Sequence, residues 1–506
     1  MAVKKENATS RVKITEKKPC VKKEKEETFQ IVPKTKILFV ASESTPYMVT
    51  GGLAEVIGSL SVSLAKRNRY DVRVVMPLYS EMKSEFREKL TFLGSITVPL
   101  SWRNQYCGIF SCKKDGVTFY FIDNEYYFKR KGCYGHFDDG ERFAFFSKSV
   151  LEMMPFIGFY PDLLHCHDWQ AGLATIYLKT TYACRNEYAR IKTLFTIHNI
   201  EYQGNFPLAV LGDVFDLSER ERSLVEWNGC VNLMKGAIVC SDRFSTVSPT
   251  YAKQILTAEY AHGLQSVISE HQGKLCGILN GIDVKSYDSK TDKSLFKTFK
   301  KGEYEGKSVC KKQLQAMLSL PQKDVPVFAM ITRLVSHKGL DLVLTVIEDA
   351  LREDVQFVLL GTGDSRYEEY FKALAAKYPD KVSANILFNG DLSRKIYAGA
   401  DIFLMPSKSE PCGLSQMIAC RYATVPLVRE TGGLYDSIKP CGAGGNGFTF
   451  ASYNAYDMLY VMHEAIDLYH DKEKWNELRL KAHGSDFSWL RSAKEYEKLY
   501  DEILRG

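Results

Sequence analysis

Residues 36–53 read Lys36-Ile37-Leu38-Phe39-Val40-Ala41-Ser42-Glu43-Ser44-Thr45-Pro46-Tyr47-Met48-Val49-Thr50-Gly51-Gly52-Leu53. An apolar run, Ile37–Ala41, reads as a buried strand, and the paired glycines precede a stretch with helical spacing, Gly52–Arg67. Glycines at a strand-to-helix junction let backbone N–H groups approach an anion, and the helix N-terminus adds partial positive charge. The pattern recurs near the other end of the chain, where Val425-Pro426-Leu427-Val428 precedes Thr431-Gly432-Gly433-Leu434. Two copies in two halves suggest paired α/β domains facing one phosphate-bearing ligand.

The intervening chain carries the same alternation. In the first half, Val72–Met76, Phe119–Ile122, Leu163–His165, Thr193–Ile197 and Phe244–Val247 read as strands. The second half offers Val327–Ile331, Gln356–Leu360, Ile386–Phe388, Ile402–Met405, Val425–Val428 and Phe448–Phe450. Amphipathic helical stretches lie between them, so the sheets are expected to be mostly parallel and covered on both faces. The fold class is therefore α/β, with two doubly wound Rossmann-like domains around a central cleft. In such sheets ligands bind outside the carboxyl ends of the strands. A polar, lysine-rich stretch from Asp283 to Lys307 suits the boundary. The expected division is a tail at 1–28, domains at 29–285 and 286–485, and a closing segment at 486–506.

With 506 residues, the chain exceeds what one core holds at roughly 150 residues per domain. The net charge is +6, but residues 1–28 hold nine Lys/Arg and five Glu, so four of those charges sit in the tail. The remainder is close to neutral and offers no basic face for nucleic acid. The tail's composition predicts disorder. It lacks the apolar core of a signal peptide, and no run approaches the roughly 18 apolar residues of a membrane span. Thirteen cysteines without CxxC pairs read as reduced thiols of a cytoplasmic protein.

The notable polar residues fall at strand ends. Arg333 and Lys338 follow Val327–Ile331 and suit the charge of a diphosphate. Glu410, within Ser409-Glu410-Pro411-Cys412-Gly413, follows Ile402–Met405 and can accept hydrogen bonds from sugar hydroxyls. His198-Asn199 and Asp168-Trp169 end two strands of the first half and suit a sugar ring.

Together these segments resemble one family. Thr50-Gly51-Gly52-Leu53, His198-Asn199, Asn280-Gly281-Ile282-Asp283, Arg333-Leu334 with Lys338-Gly339-Leu340-Asp341, Glu410-Pro411-Cys412-Gly413-Leu414 and Thr431-Gly432-Gly433-Leu434 look like the signature series of bacterial glycogen synthases and plant starch synthases. The match spans about residues 36–503 and includes the closing Phe487-Ser488-Trp489, Tyr496 and Tyr500. The resemblance implies a GT-B fold and retaining transfer of glucose from ADP-glucose to the non-reducing end of an α-1,4-glucan. Arg333 and Lys338 would bind the donor phosphates, and Glu410 would hold the glucose. Asp168, His198 and Asn280 would line the reaction site. Gly51, Gly52, Thr431, Gly432 and Gly433 would offer backbone contacts to the donor. The resemblance implies no metal and no further cofactor; the expected partners are the nucleotide sugar and the glucan, and oligomeric state is left open.

One departure stands out. The family motif is Lys-x-Gly-Gly-Leu, whereas this chain has Val49 at the lysine position. That lysine would bring a cation to the donor phosphates, with Lys235 or Arg333 as substitutes here. The alternative reading is accordingly a catalytically weak paralogue that binds glucan or regulates another synthase. Glu55 and Ser409 are milder changes, standing where aspartate and an aromatic residue are common.

Overall fold

The computed structural model describes residues 33–442 and 444–506; the expected tail, 1–28, lies outside the described residues. The first sheet comprises β1 (Thr35–Val40), β2 (Tyr70–Pro77), β3 (Thr91–Leu100), β4 (Arg103–Lys114), β5 (Val117–Asp123), β6 (Leu163–His167), β7 (Lys192–Ile197), β8 (Arg243–Thr246) and β9 (Leu275–Gly277). Its strand order is β9-β8-β7-β6-β1-β2-β5-β4-β3. All neighbours from β9 to β5 run parallel, and β4 and β3 close one edge as an antiparallel hairpin. The second sheet comprises β10 (Val327–Ile331), β11 (Gln356–Leu360), β12 (Val382–Asn385), β13 (Ile402–Met405), β14 (Val425–Arg429) and β15 (Phe448–Phe450). It is parallel throughout, in the order β12-β11-β10-β13-β14-β15.

The central strands read as continuous apolar runs because helices cover both of their faces. Ile37, Leu38, Phe39 and Val40 are all fully buried, as are Ile402 and Phe403. Two expectations need correction. The sequence reading has no strand between Met76 and Phe119, yet β3 and β4 occupy that stretch. Much of β3 is open to solvent, so it lacks the dense apolar run that marks the buried strands. The apolar run Ile386–Phe388 is not a strand. Pairing with β11 uses Val382–Asn385 instead, and Phe388 is 96% exposed in the following loop.

The chain passes between the two sheets at two adjacent points. Ile282 N–H donates to Phe487 O at 2.8 Å, and Ile282 and Ser488 form a parallel bridge. A side chain at Gly281 would put its Cβ 2.7 Å from Trp489 N, so only glycine lets the crossings lie this close. The last helix, Trp489–Arg505, then packs on the first sheet. Its Trp489, Tyr496, Tyr500 and Ile503 join that sheet's core, and Tyr500 Oη lies 3.0 Å from His165 Nδ1. Among the described residues no helix is long and apolar enough to cross a membrane, and no cluster of His, Cys, Asp and Glu suits a metal ion.

Candidate active site

The carboxyl ends of both sheets open onto one cavity of about 1200 Å³. From the first sheet it is lined by Gly51 and Gly52 after β1, Asp168 after β6, His198 after β7 and Asn280 after β9. From the second come Arg333 and Lys338 after β10 and Glu410 after β13. Eight of the residues singled out in the sequence therefore share one wall-to-wall space.

On the second-sheet side, Lys338 Nζ donates to Glu410 Oε2 at 2.6 Å, and Ser407 Oγ donates to the same oxygen at 3.0 Å. Backbone sterics explain the approach. Gly339 has φ of +72°, and a Cβ there would meet Pro406 O at 2.0 Å, so the helix Leu340–Ala350 starts hard against the end of β13. Lys408 N–H also donates to His337 O at 2.9 Å, which ties the two loops together. The Lys338–Glu410 pair is mostly buried, with side chains 17% and 9% exposed. Arg333 is exposed on the same wall and makes no ion pair among the described residues.

The opposite wall begins at the helix Gly52–Ala65, capped by the extended Gly51. Both glycines are exposed, and a Cβ on either would meet nothing within 4 Å. The space above their backbone is therefore open to a ligand. Asp168 holds φ of +56°, a left-handed conformation uncommon outside glycine, and accepts a hydrogen bond from His198 N–H at 2.7 Å. Burial pushes its carboxyl up to about 7, against the opposing backbone bonds from His198 and Asn199. Burial also lowers His198 to about 3, so this imidazole is neutral at physiological pH. Its Nε2 lies 3.0 Å from His167 Nδ1, which fixes the ring. Asn280 is 5% exposed, and its Oδ1 has no hydrogen-bond partner among the described residues.

The two walls differ in charge. Among the described lining residues, the first-sheet wall carries Glu43, Asp139, Asp168, Glu201 and Glu259 but no Lys or Arg. Arg333, Lys338 and Lys408 all belong to the other wall. The second-sheet wall also carries Asp341 and Glu410, so the cavity's cationic side chains are concentrated on one side and interleaved there with two carboxylates.

Thr431, Gly432 and Gly433 do not line the cavity. They are buried behind it, where Gly432 N–H donates to Gln254 Oε1 at 2.9 Å and Gly433 N–H to Glu410 O at 3.2 Å. Lys235 is likewise turned away, donating to Ser223 O. Val49 is 51% exposed beside the lining residues. Sequence reasoning missed Glu43, Tyr134, Tyr202, Glu259, Lys408 and Tyr453 in the lining. Glu43 lies three residues past β1 and so carried a strand-end signal; the others come from loops whose approach to the cleft depends on tertiary packing.

Comparison with known proteins agrees with this architecture. Residues 36–270 match the starch synthase catalytic domain, and residues 316–480 match the glycosyl transferases group 1 domain. The chain is 48% identical over 475 residues to glycogen synthase of Desulforamulus reducens, covering 93% of this chain and 99% of that one. It is 49% identical over 474 residues to glycogen synthase of Alkaliphilus metalliredigens, covering 92% and 100%. Its structure is similar to the catalytic domain of starch synthase IV from Arabidopsis thaliana, solved with ADP and acarbose. The TM-score is 0.86 at 33% identity, with 94% of this chain and 100% of that one covered. The two doubly wound domains form a GT-B fold, and the chain belongs to the glycogen synthase and starch synthase family of glucosyltransferases.

Proposed function

We propose that this chain transfers glucose, with retention of configuration, from ADP-glucose to the non-reducing end of an α-1,4-glucan. The observation that carries the reading is the Lys338–Glu410 pair on the same wall as the exposed Arg333, facing Asp168 and His198 across one cavity. The ADP bound to the similar starch synthase IV domain supports the choice of nucleotide. In this reading residues 29–285 form the acceptor-side domain and 286–485 the nucleotide-sugar domain, with 486–506 returning to the first.

Bond breaking places negative charge on the departing diphosphate. Arg333 and Lys338 stabilise that charge, and preorganised cationic donors of this kind are worth about 3–4 kcal/mol each in a closed site. Entry of the diphosphate draws Lys338 toward it, and Glu410 turns its freed oxygen to a glucose hydroxyl. The N–H of Gly52 at the helix N-terminus meets the donor from the other side, while that of Gly51 is turned to Glu43. His198, neutral and fixed by His167, hydrogen-bonds the sugar without adding charge. Asp168 and Asn280 accept from hydroxyls on the acidic side, Asn280 through its unpartnered Oδ1. The alternative of a catalytically weak paralogue rests on Val49 alone and gains nothing from the comparisons.

Calorimetry with ADP tests the assignment. The wild-type chain is expected to bind ADP more tightly than UDP, and Lys338→Ala is expected to weaken ADP binding about tenfold or more. Equal ADP affinity in the two proteins would refute the placement of the diphosphate.

A further inference from the structure

We infer that Glu43 is a positioning residue for the transfer, holding the Thr50-Gly51-Gly52 turn so that its backbone faces the donor diphosphate. The inference rests on the glucosyl-transfer reading above.

Glu43 lies just past β1, is 3% exposed and reaches the cavity wall. Its Oε2 accepts from Thr50 N–H at 2.6 Å and from Thr50 Oγ1 at 2.8 Å. Hydrogen bonds to a carboxylate are about twice as strong as neutral ones, and two to one residue fix its backbone direction. The start of the same loop is clamped separately. Thr45 N–H donates to Ala54 O at 3.0 Å, and Gly58 lies so close that a Cβ there would sit 1.9 Å from Thr45 Oγ1. Ser42 Oγ, 2.7 Å from Tyr134 Oη, ties the strand end to the cavity wall. Held at both ends, the loop presents two glycines with nothing above them.

A carboxylate lining an anion's cavity needs a reason to be there, because its charge repels the ligand. Burial pushes the Glu43 carboxyl up, and hydrogen bonds from Thr50, from the Tyr134 hydroxyl and from the Gly51 N–H pull it back toward the ionised form. Asp168, also buried on this wall, adds like charge to the same region. The compensation is geometric. With Val49 in place of a lysine and Lys235 turned to Ser223 O, the first-sheet wall offers the phosphates no cationic side chain among the described residues. Backbone N–H groups and the helix N-terminus are what it offers, and their aim depends on Glu43.

The test compares Glu43→Ala, Glu43→Gln and Thr50→Val with wild type, measuring kcat, donor KM, acceptor KM, ADP affinity and melting temperature. Glu43→Ala is expected to raise donor KM and the Kd for ADP about tenfold or more, with acceptor KM within about twofold of wild type. Glu43→Gln keeps an oxygen to accept from Thr50 N–H, so it is expected to recover most of that loss. Thr50→Val loses only the hydroxyl bond and is expected to show a smaller rise in donor KM. An alanine variant that folds and keeps the wild-type donor KM overturns the inference. So does a glutamine variant as impaired as alanine, since charge and not positioning would then be responsible. If Glu43→Ala fails to fold, an unchanged donor KM in Thr50→Val overturns it as well. A wild-type chain that neither binds ADP nor transfers glucose overturns the transfer reading first, and this inference with it.

Discussion

Val49→Lys is the perturbation that asks most of this site. Val49 is 51% exposed, so a lysine there displaces no core packing, and its neighbours Thr50, Gly51 and Gly52 line the cavity. The wall it joins carries five acidic side chains and neither Lys nor Arg among the described lining residues. A lysine ammonium about 6 Å from one phosphate charge, at an effective dielectric of about 40, gains about 1.4 kcal/mol, or about tenfold. Ordering the long side chain and the nearby carboxylates reduce this, so a gain of about three- to tenfold is expected in kcat/KM for the donor. The assay is the initial rate of glucose transfer to glycogen with ADP-glucose varied, at low salt and again near 0.5 M salt. A through-space charge effect shrinks as the Debye length falls to about 4 Å. A well-folded variant with no gain at low salt, or with a gain that persists undiminished at high salt, would refute the reasoning.

Four further outcomes follow from the structure. Lys338→Ala and Glu410→Ala are each expected to lower kcat by about a hundredfold or more in a protein that still folds, with some loss of melting temperature from breaking the buried pair; near-normal turnover in both removes the cavity assignment. Asp168 ionises near 7 in the folded chain against an ordinary 3.8, so its protonated form contributes stability that is present below pH 3.8 and lost as pH rises toward 7. Wild type should therefore lose melting temperature relative to Asp168→Asn across that window; a pH-independent difference would contradict it. His198, lowered to about 3 from 6.5, works in the opposite sense, so wild type should gain relative to His198→Gln between those values. Gly281→Ala forces a Cβ to within 2.7 Å of Trp489 N and is expected to cost about 1–3 kcal/mol, read from the urea midpoint.

Much of the fold is legible in the sequence because strands buried on both faces are written as unbroken apolar runs. Val327–Ile331, Gln356–Leu360, Ile402–Met405 and Phe448–Phe450 match the observed strands residue for residue. The β3–β4 hairpin escapes because a partly solvated edge needs only intermittent apolar residues. Phe388 misleads because an exposed aromatic has the same letter as a buried one. In the site, residues at strand ends are legible because parallel sheets send their carboxyl ends to one edge. The paired-glycine symmetry is broken by tertiary contacts that local sequence does not encode. The first pair opens on the cavity, whereas Gln254 and the carbonyl of Glu410 occupy the N–H groups of the second. Glu43 likewise gains its meaning only from the fold of the loop back onto its own carboxylate.

Glucose incorporation into glycogen, with ADP-glucose and UDP-glucose compared at equal concentration, tests the central claim most directly. The account predicts incorporation from ADP-glucose, faster than from UDP-glucose, into α-1,4-linked ends that β-amylase releases. No incorporation from either donor by the folded chain would contradict it.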